Sequence, residues 1–128
     1  MNGSNAAILH FHDNDLVYGP KAEGKLREWQ ERYGGKLIED VHDPFDDGFN
    51  DWITRSVNIL NKFTNRGSII HFDLTHVVDI ENVLNGKGKY AKTVTTGELR
   101  YIRDNWTRLS KSVKFYKNNT EVNAPWQS

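Results

Sequence analysis

The chain contains no cysteine, and that absence removes several chemistries at once. A disulfide framework, a Cys-ligated zinc site and a thiol nucleophile are all excluded. The zinc deaminases go with them, because their metal takes cysteine ligands beside a histidine. No run approaches the ~18 apolar residues of a membrane span, and no secretory-signal pattern opens the chain. Net charge is missing too, with 17 Lys/Arg against 17 Asp/Glu. Apolar residues are sparse: hydrophobic side chains make up 37% of the 128 residues, and mean hydropathy is −0.72.

What is present compensates for that sparseness. Four Trp, five Tyr and six Phe supply large side chains for a core. A domain of this length buries about two thirds of its unfolded surface, enough to fold without staples. The zero net charge also hides an asymmetry. Residues 85–128 carry nine Lys/Arg and three Asp/Glu, a surplus of six positive charges, and residues 1–84 carry the opposite surplus. Such a split marks either a polyanion-binding surface or two halves that attract each other within one fold.

Residues 1–19 read as an irregular lead-in, broken by Asn14 and Gly19-Pro20, and residues 20–128 as a single α/β domain. Ala22, Leu26, Trp29 and Tyr33 recur at helical spacing until Gly34-Gly35 stops them. Lys36 to Val41 reads as a short strand. Phe49, Trp52, Ile53, Val57, Leu60 and Phe63 share the inner face of a second helix, capped by Asp47 or Asn50. The stretch Ser68–Thr75 is β-branched and aromatic and reads as a central strand. Asp79 to Leu84 is a helical turn. Thr95-Thr96-Gly97-Glu98 matches a capping box for a helix over 95–108, in which Glu98 reaches back to the first amides. Ser112 to Tyr116 is a strand, Thr120 to Val122 its hairpin partner, and Trp126 packs back as an anchor. Strands alternating with helices predict a small mixed sheet covered by helices in two or three layers, with a C-terminal antiparallel hairpin.

Strand alternation sends Ile70, Phe72 and Leu74 to one layer and His71, Asp73 and Thr75 to the other. His76 follows at the strand's carboxyl end, where open α/β sheets bind ligands, and His42 ends the preceding strand in the same way. An aspartate such as Asp73 can orient an imidazole as general base or acid. It can equally cap the next turn, with His71 and His76 as hydrogen-bonded core or rim groups. The loop Gly86-Lys87-Gly88-Lys89-Tyr90-Ala91-Lys92 offers ammonium groups for phosphate and a ring for stacking. It lacks the ending of a Walker loop, so no NTPase is implied. Arg100 and Arg103 either face solvent or hold phosphate. The acidic stretch Glu39–Gly48 departs from the spacing of an EF-hand and reads as a solvated loop.

The half after Ile70 resembles a known class. Phe72-Asp73-Leu74-Thr75-His76, Gly88-Lys89-Tyr90-Ala91, Glu98-Leu99-Arg100-Tyr101-Ile102, Phe115-Tyr116-Lys117-Asn118 and Pro125-Trp126 are similar to the C-terminal toxin modules of bacterial polymorphic toxins, of the Rhs-repeat and contact-dependent inhibition type. The resemblance covers roughly residues 26–126. It implies a domain delivered as part of a larger secreted protein, acting in the target-cell cytoplasm and neutralised by a cognate immunity protein. Many such modules are metal-independent ribonucleases, and others consume NAD. A sequence pI of 7.0 departs from the basic character usual for the ribonucleases.

The expectation is therefore a ribonuclease that needs no cofactor and no metal, acting as a monomer. His76 would be base or acid, oriented by Asp73 beside Thr75. Arg100 with Lys87, Lys89, Lys92 and Arg103 would hold phosphate, and Tyr90 would stack a base. In the alternative, an NAD glycohydrolase or ADP-ribosyltransferase, Glu98 acts at the ribose and Arg100 at the pyrophosphate. A third reading is a non-catalytic binding or immunity-type module.

Overall fold

A computed structural model describes residues 9–41 and 51–127. At its centre five strands lie in the order β2-β1-β3-β4-β5. They are β1 (Phe11–Tyr18), β2 (Gly34–Lys36), β3 (Ile70–Asp73), β4 (Val113–Lys117) and β5 (Thr120–Val122). β1 runs parallel to β2 and to β3, and β3 parallel to β4, while β4 and β5 form an antiparallel hairpin. The helices are α1 (Lys25–Tyr33), α2 (Trp52–Asn65), α3 (Ile80–Asn85), α4 (Val94–Asp104) and α5 (Trp106–Leu109). The mixed sheet, its helical cover and the C-terminal hairpin are those expected. Among the described residues no helix is long and apolar enough to cross a membrane.

Strand alternation sorts the core into two faces, so the sheet is the middle of three layers. Leu16, Ile70, Phe72 and Phe115 point to one side, against Ile59 and Leu60 of α2 and Leu99 and Ile102 of α4. Phe11, Val17 and Tyr116 point to the other, against Leu26 and Trp29 of α1. Burying each large apolar side chain contributes about 1.5–3 kcal/mol. Trp126 sets its ring edge-on to Trp106 and Phe115, with centroids 5.2 and 5.4 Å apart, so the chain's last aromatic anchors the α4 face as expected.

Four local expectations are corrected. Residues 11–18 belong to the sheet and form its second strand from one edge, because Phe11, Leu16, Val17 and Tyr18 are buried on alternating faces. The intervening His12, Asp13 and Asn14 are exposed and masked the pattern. The short strand after α1 is Gly34–Lys36, and Ile38–Asp40 is a 3-10 turn instead. Helix α2 starts at Trp52 with Asp51 as its cap, accepting from the Ile53 amide at 3.0 Å. The proposed caps Asp47 and Asn50, with Phe49, lie outside the described residues. Finally, Thr93 caps α4 through the Thr96 amide, at 3.2 Å, and the helix breaks at Asn105 before α5.

The α1 face buries a polar network. His71 Nε2 lies 2.9 Å from Asp15 Oδ2, and His71 Nδ1 lies 2.8 Å from the Tyr116 hydroxyl. A carboxylate only accepts, so Nε2–H donates to Asp15 and the Tyr116 hydroxyl donates to Nδ1. Asp15 also accepts from the Ile69 amide at 3.0 Å, and Phe11 stacks on the imidazole at 3.7 Å. Burial lowers the His71 pKa below its ordinary value, with Asp15 acting against it. His71 is thus a satisfied core histidine, stitching β1, β3 and β4 together. Tyr116→Phe leaves Nδ1 without its donor and is expected to destabilise by about 1–3 kcal/mol. Urea unfolding checks this, and an unchanged midpoint would remove the hydroxyl from the network.

Gly34 both ends α1 and opens β2, at φ +103°. A Cβ there would lie 2.6 Å from the Phe11 carbonyl oxygen. Gly34→Ala is therefore expected to cost about 1–3 kcal/mol, seen as a drop in Tm, since both the backbone and the neighbour oppose it.

Candidate functional site

After β1 the chain crosses to β2 at the sheet edge, then returns to the other side of β1 to form β3. At such a reversal the connections leave the strands' carboxyl ends in opposite directions and open a crevice. Here the crevice is a pocket of about 450 Å³. The end of β1 (Tyr18 to Lys21), the turn after β2 (Leu37 to Glu39), the segment after β3 (His76 to Val78) and the start of α4 (Thr93 to Thr95) line it. Most of these side chains are apolar. Gly19, at φ +145°, lets the chain turn here, since a Cβ would stand 2.8 Å from the Asp73 carbonyl oxygen.

Glu98 belongs to the same lining and is only 3% exposed. The Ser56 hydroxyl donates to Glu98 Oε2, and the Ser56 carbonyl accepts from the Tyr18 hydroxyl at 2.6 Å. Burial in apolar surroundings disfavours the carboxylate and pushes the Glu98 pKa up to about 8, against the partial relief of the serine bond. The phenol of Tyr18 is raised as well, by burial and then by the nearby Glu98. At neutral pH Glu98 is a carboxylic acid with a proton to give. A carboxyl so tuned, in a crevice, has the character of a functional group.

The expected site residues are only partly assembled. His76 is exposed and lines this pocket with Glu98. It also lines a second, polar hollow of about 310 Å³ on the α1 face, with Asp73, Thr75 and the hairpin residues Asn118 and Asn119. Asp73 does not orient His76: no hydrogen bond joins them among the described residues. Asp73 Oδ1 accepts from the Thr75 amide at 3.0 Å and its hydroxyl at 2.6 Å, and Thr75 Oγ1 accepts from the Asn118 amide at 2.9 Å. Asp73 and Thr75 therefore brace the turn and the hairpin.

The cationic residues lie elsewhere. Arg100 lies close over Gly86, where an added Cβ would meet its guanidinium at 2.7 Å. Arg103 donates to the Leu84 carbonyl at 2.9 Å, closing the end of α3, and pairs with Asp104 at 3.2 Å. Lys87, Lys89 and Lys92 are exposed and, with Arg100 and Arg103, line neither hollow. Tyr90 ends the 3-10 turn Gly88–Tyr90, and its side chain lies outside the description. His42 is outside the described residues.

Glu98 is not a helix cap, which overturns the capping-box reading. Its spacing held the clue: Thr95, Glu98, Leu99, Ile102, Trp106 and Leu109 continue one inward stripe, and a carboxyl on it must be buried. Ser56 carried the same signal, as a polar residue between the apolar positions Ile53 and Leu60. Trp52 was expected inward with that face, but it is 53% exposed at the pocket mouth. Lys21 gave no sequence signal.

Together these features define a doubly wound α/β domain with a carboxylic acid set into its switch-point pocket. Compared with protein-family models, curated proteins and solved structures, the chain matches none.

The raised Glu98 pKa has a signed consequence for stability. A folded pKa of about 8 against an ordinary 4.5 means the native state holds this proton more tightly than the unfolded chain. The resulting stability is complete below pH 4.5 and is lost as pH rises to about 8, an effect on the order of 5 kcal/mol at most. Glu98→Gln keeps an acceptor for Ser56 and removes the titration. Wild-type Tm is expected to fall from pH 5 to 9 by roughly 10–20 °C more than that of the variant. Parallel profiles would mean that Glu98 titrates normally.

Proposed function

We propose that the chain is a toxin domain of the class it resembles, a ribonuclease whose acid is Glu98 and whose base is His76. One observation carries this reading: a neutral, buried carboxylic acid and an accessible imidazole line the same pocket at the sheet's carboxyl edge. RNA supplies its own nucleophile, so cleavage asks the protein for an acid-base pair and a place to hold the strand. His76 takes the proton of a 2′-hydroxyl, whose oxygen bonds to phosphorus. The P–O5′ bond breaks, and Glu98 protonates the leaving oxygen. The products are a 2′,3′-cyclic phosphate and a 5′-hydroxyl. This mechanism replaces the Asp73–His76 pair expected from sequence, since Asp73 is engaged by Thr75. A toxin of this kind also requires a cognate immunity protein in the cell that makes it.

A second reading, NAD consumption, draws on the position of the cations. Lys87, Lys89, Lys92 and Arg100 line neither hollow, so none of these four extends the pocket along a polymer backbone. A pocket of about 450 Å³ suits part of a dinucleotide. Glu98 would then act at the ribose, while Arg100, over Gly86, loses its expected place at the pyrophosphate.

The test is incubation of purified protein with total RNA and, separately, with NAD, for wild type, His76→Ala and Glu98→Gln. The expected outcome is RNA cleavage leaving cyclic-phosphate ends, reduced at least about 100-fold in each variant. Nicotinamide release with intact RNA would favour the second reading. No turnover of either would overturn both and leave a binding or immunity-type module.

A further inference from the structure

Four large apolar side chains are exposed among the described residues: Trp52, Val78, Val94 and Val122. Three of them, at 53, 61 and 37% exposure, surround the mouth of the Glu98 pocket. Singly exposed apolar residues need no explanation, whereas a cluster at the mouth of a concave site marks contact with a ligand or partner. The three also come from different parts of the chain, the start of α2, the segment after β3 and the start of α4.

Trp52 differs from the two valines in how firmly it is held. It is the first residue of α2, next to the capping Asp51. The guanidinium of Arg55 lies 5.5 Å from its ring centroid, over one face. Arg55 is itself tied down, donating to the Val41 carbonyl at 3.1 Å. The indole is thus braced from one side while half of its surface stays open at the pocket. An indole in water, pre-positioned beside a cavity walled mostly by apolar side chains, suits a flat heteroaromatic ring better than a flexible chain. Stacking on it requires little further ordering, because the ring is already placed.

We propose that Trp52 is the base-stacking platform of this pocket, taking a nucleobase between its indole and the Val78 and Val94 side chains. The proposal rests on the nucleotide chemistry of the preceding section and names the part of the substrate that the pocket grips. It moves base recognition away from the Tyr90 loop and onto the start of α2. Phosphate stays outside, near Lys21 and His76 on the rim, and the base lies in the apolar mouth. Trp52 is a binding residue only, since the proton transfers belong to Glu98 and His76.

The experiment is calorimetric titration of the full chain with AMP, GMP, CMP and UMP, and with ribose 5-phosphate as a probe lacking the base. Wild type, Trp52→Phe and Trp52→Ala are compared, and near-UV circular dichroism confirms that each is folded. At least one nucleotide is expected to bind wild type tightly enough to quench tryptophan fluorescence. Its affinity should fall roughly tenfold or more in Trp52→Ala and less in Trp52→Phe, while weak binding of ribose 5-phosphate stays the same in all three. Equal nucleotide affinity in wild type and Trp52→Ala, or no preference for nucleotides over ribose 5-phosphate, would overturn the proposal. So would an exposed mouth that binds only protein. Binding is read without turnover, so the two readings fail separately: Trp52-dependent binding with RNA and NAD untouched would sink the catalytic reading alone.

Discussion

The joint formed by Tyr18, Ser56 and Glu98 holds the functional half of this molecule in place. Tyr18 ends β1, Ser56 lies in the second turn of α2, and Glu98 lies on α4, so a strand and two helices of one face meet there. The polar atoms sealed between these elements have to find their partners inside. The phenol donates to the serine carbonyl, and the serine hydroxyl donates to the carboxyl. Close approach of the helices is part of the same constraint. A Cβ at Gly97 would stand 2.7 Å from the Ile53 side chain, so only glycine lets α4 lie this near α2. The result is a carboxyl group whose charge is suppressed by its surroundings yet which borders a cavity. Its chemistry and its cost to stability above neutral pH have one cause.

The two faces of the sheet have divided polar burial between them. On the α1 face, Asp15, His71 and Tyr116 form a closed chain of hydrogen bonds beneath Phe11. That network borders neither hollow and is fully internal, which marks it as architecture. On the α4 face the corresponding polar group opens onto a pocket. Ionisable groups of similar burial thus do different work according to whether a cavity reaches them. His71 and His76 make the same point within five residues: one is sealed into the core, and the other stands exposed on the ridge between two hollows.

Much of the fold was legible from period and punctuation. Helix α1 ended at Gly34, β3 showed its β-branched run, and β4 with β5 and the returning Trp126 fell where alternation and turn residues put them. β1 was missed because its exposed middle, His12 to Asn14, interrupts the apolar alternation, and because burial at Asp15 depends on His71, far away in sequence. The site was less legible. His76 was found by its place after a strand, but its expected partner Asp73 had a nearer one in Thr75. Glu98 was noticed for the wrong reason. Thr95 suggested a cap, whereas Thr93 is the cap and the helix, starting at Val94, carries Glu98 round to the inside.

By itself, the sequence determined the α/β class, the hairpin, most helix limits and the exclusion of cysteine chemistry. These follow from interactions between residues a few positions apart, such as amphipathic spacing, glycine stops and strand alternation. Tertiary structure decided the rest: that residues 11–18 lie within the sheet, that Glu98 stays protonated beside Ser56, and that Trp52 is left in the open. Each of these depends on contacts between segments roughly forty or more residues apart, or on the solvent excluded by them. A carboxyl's charge and a tryptophan's exposure are set by the assembled surroundings, which local pattern does not encode.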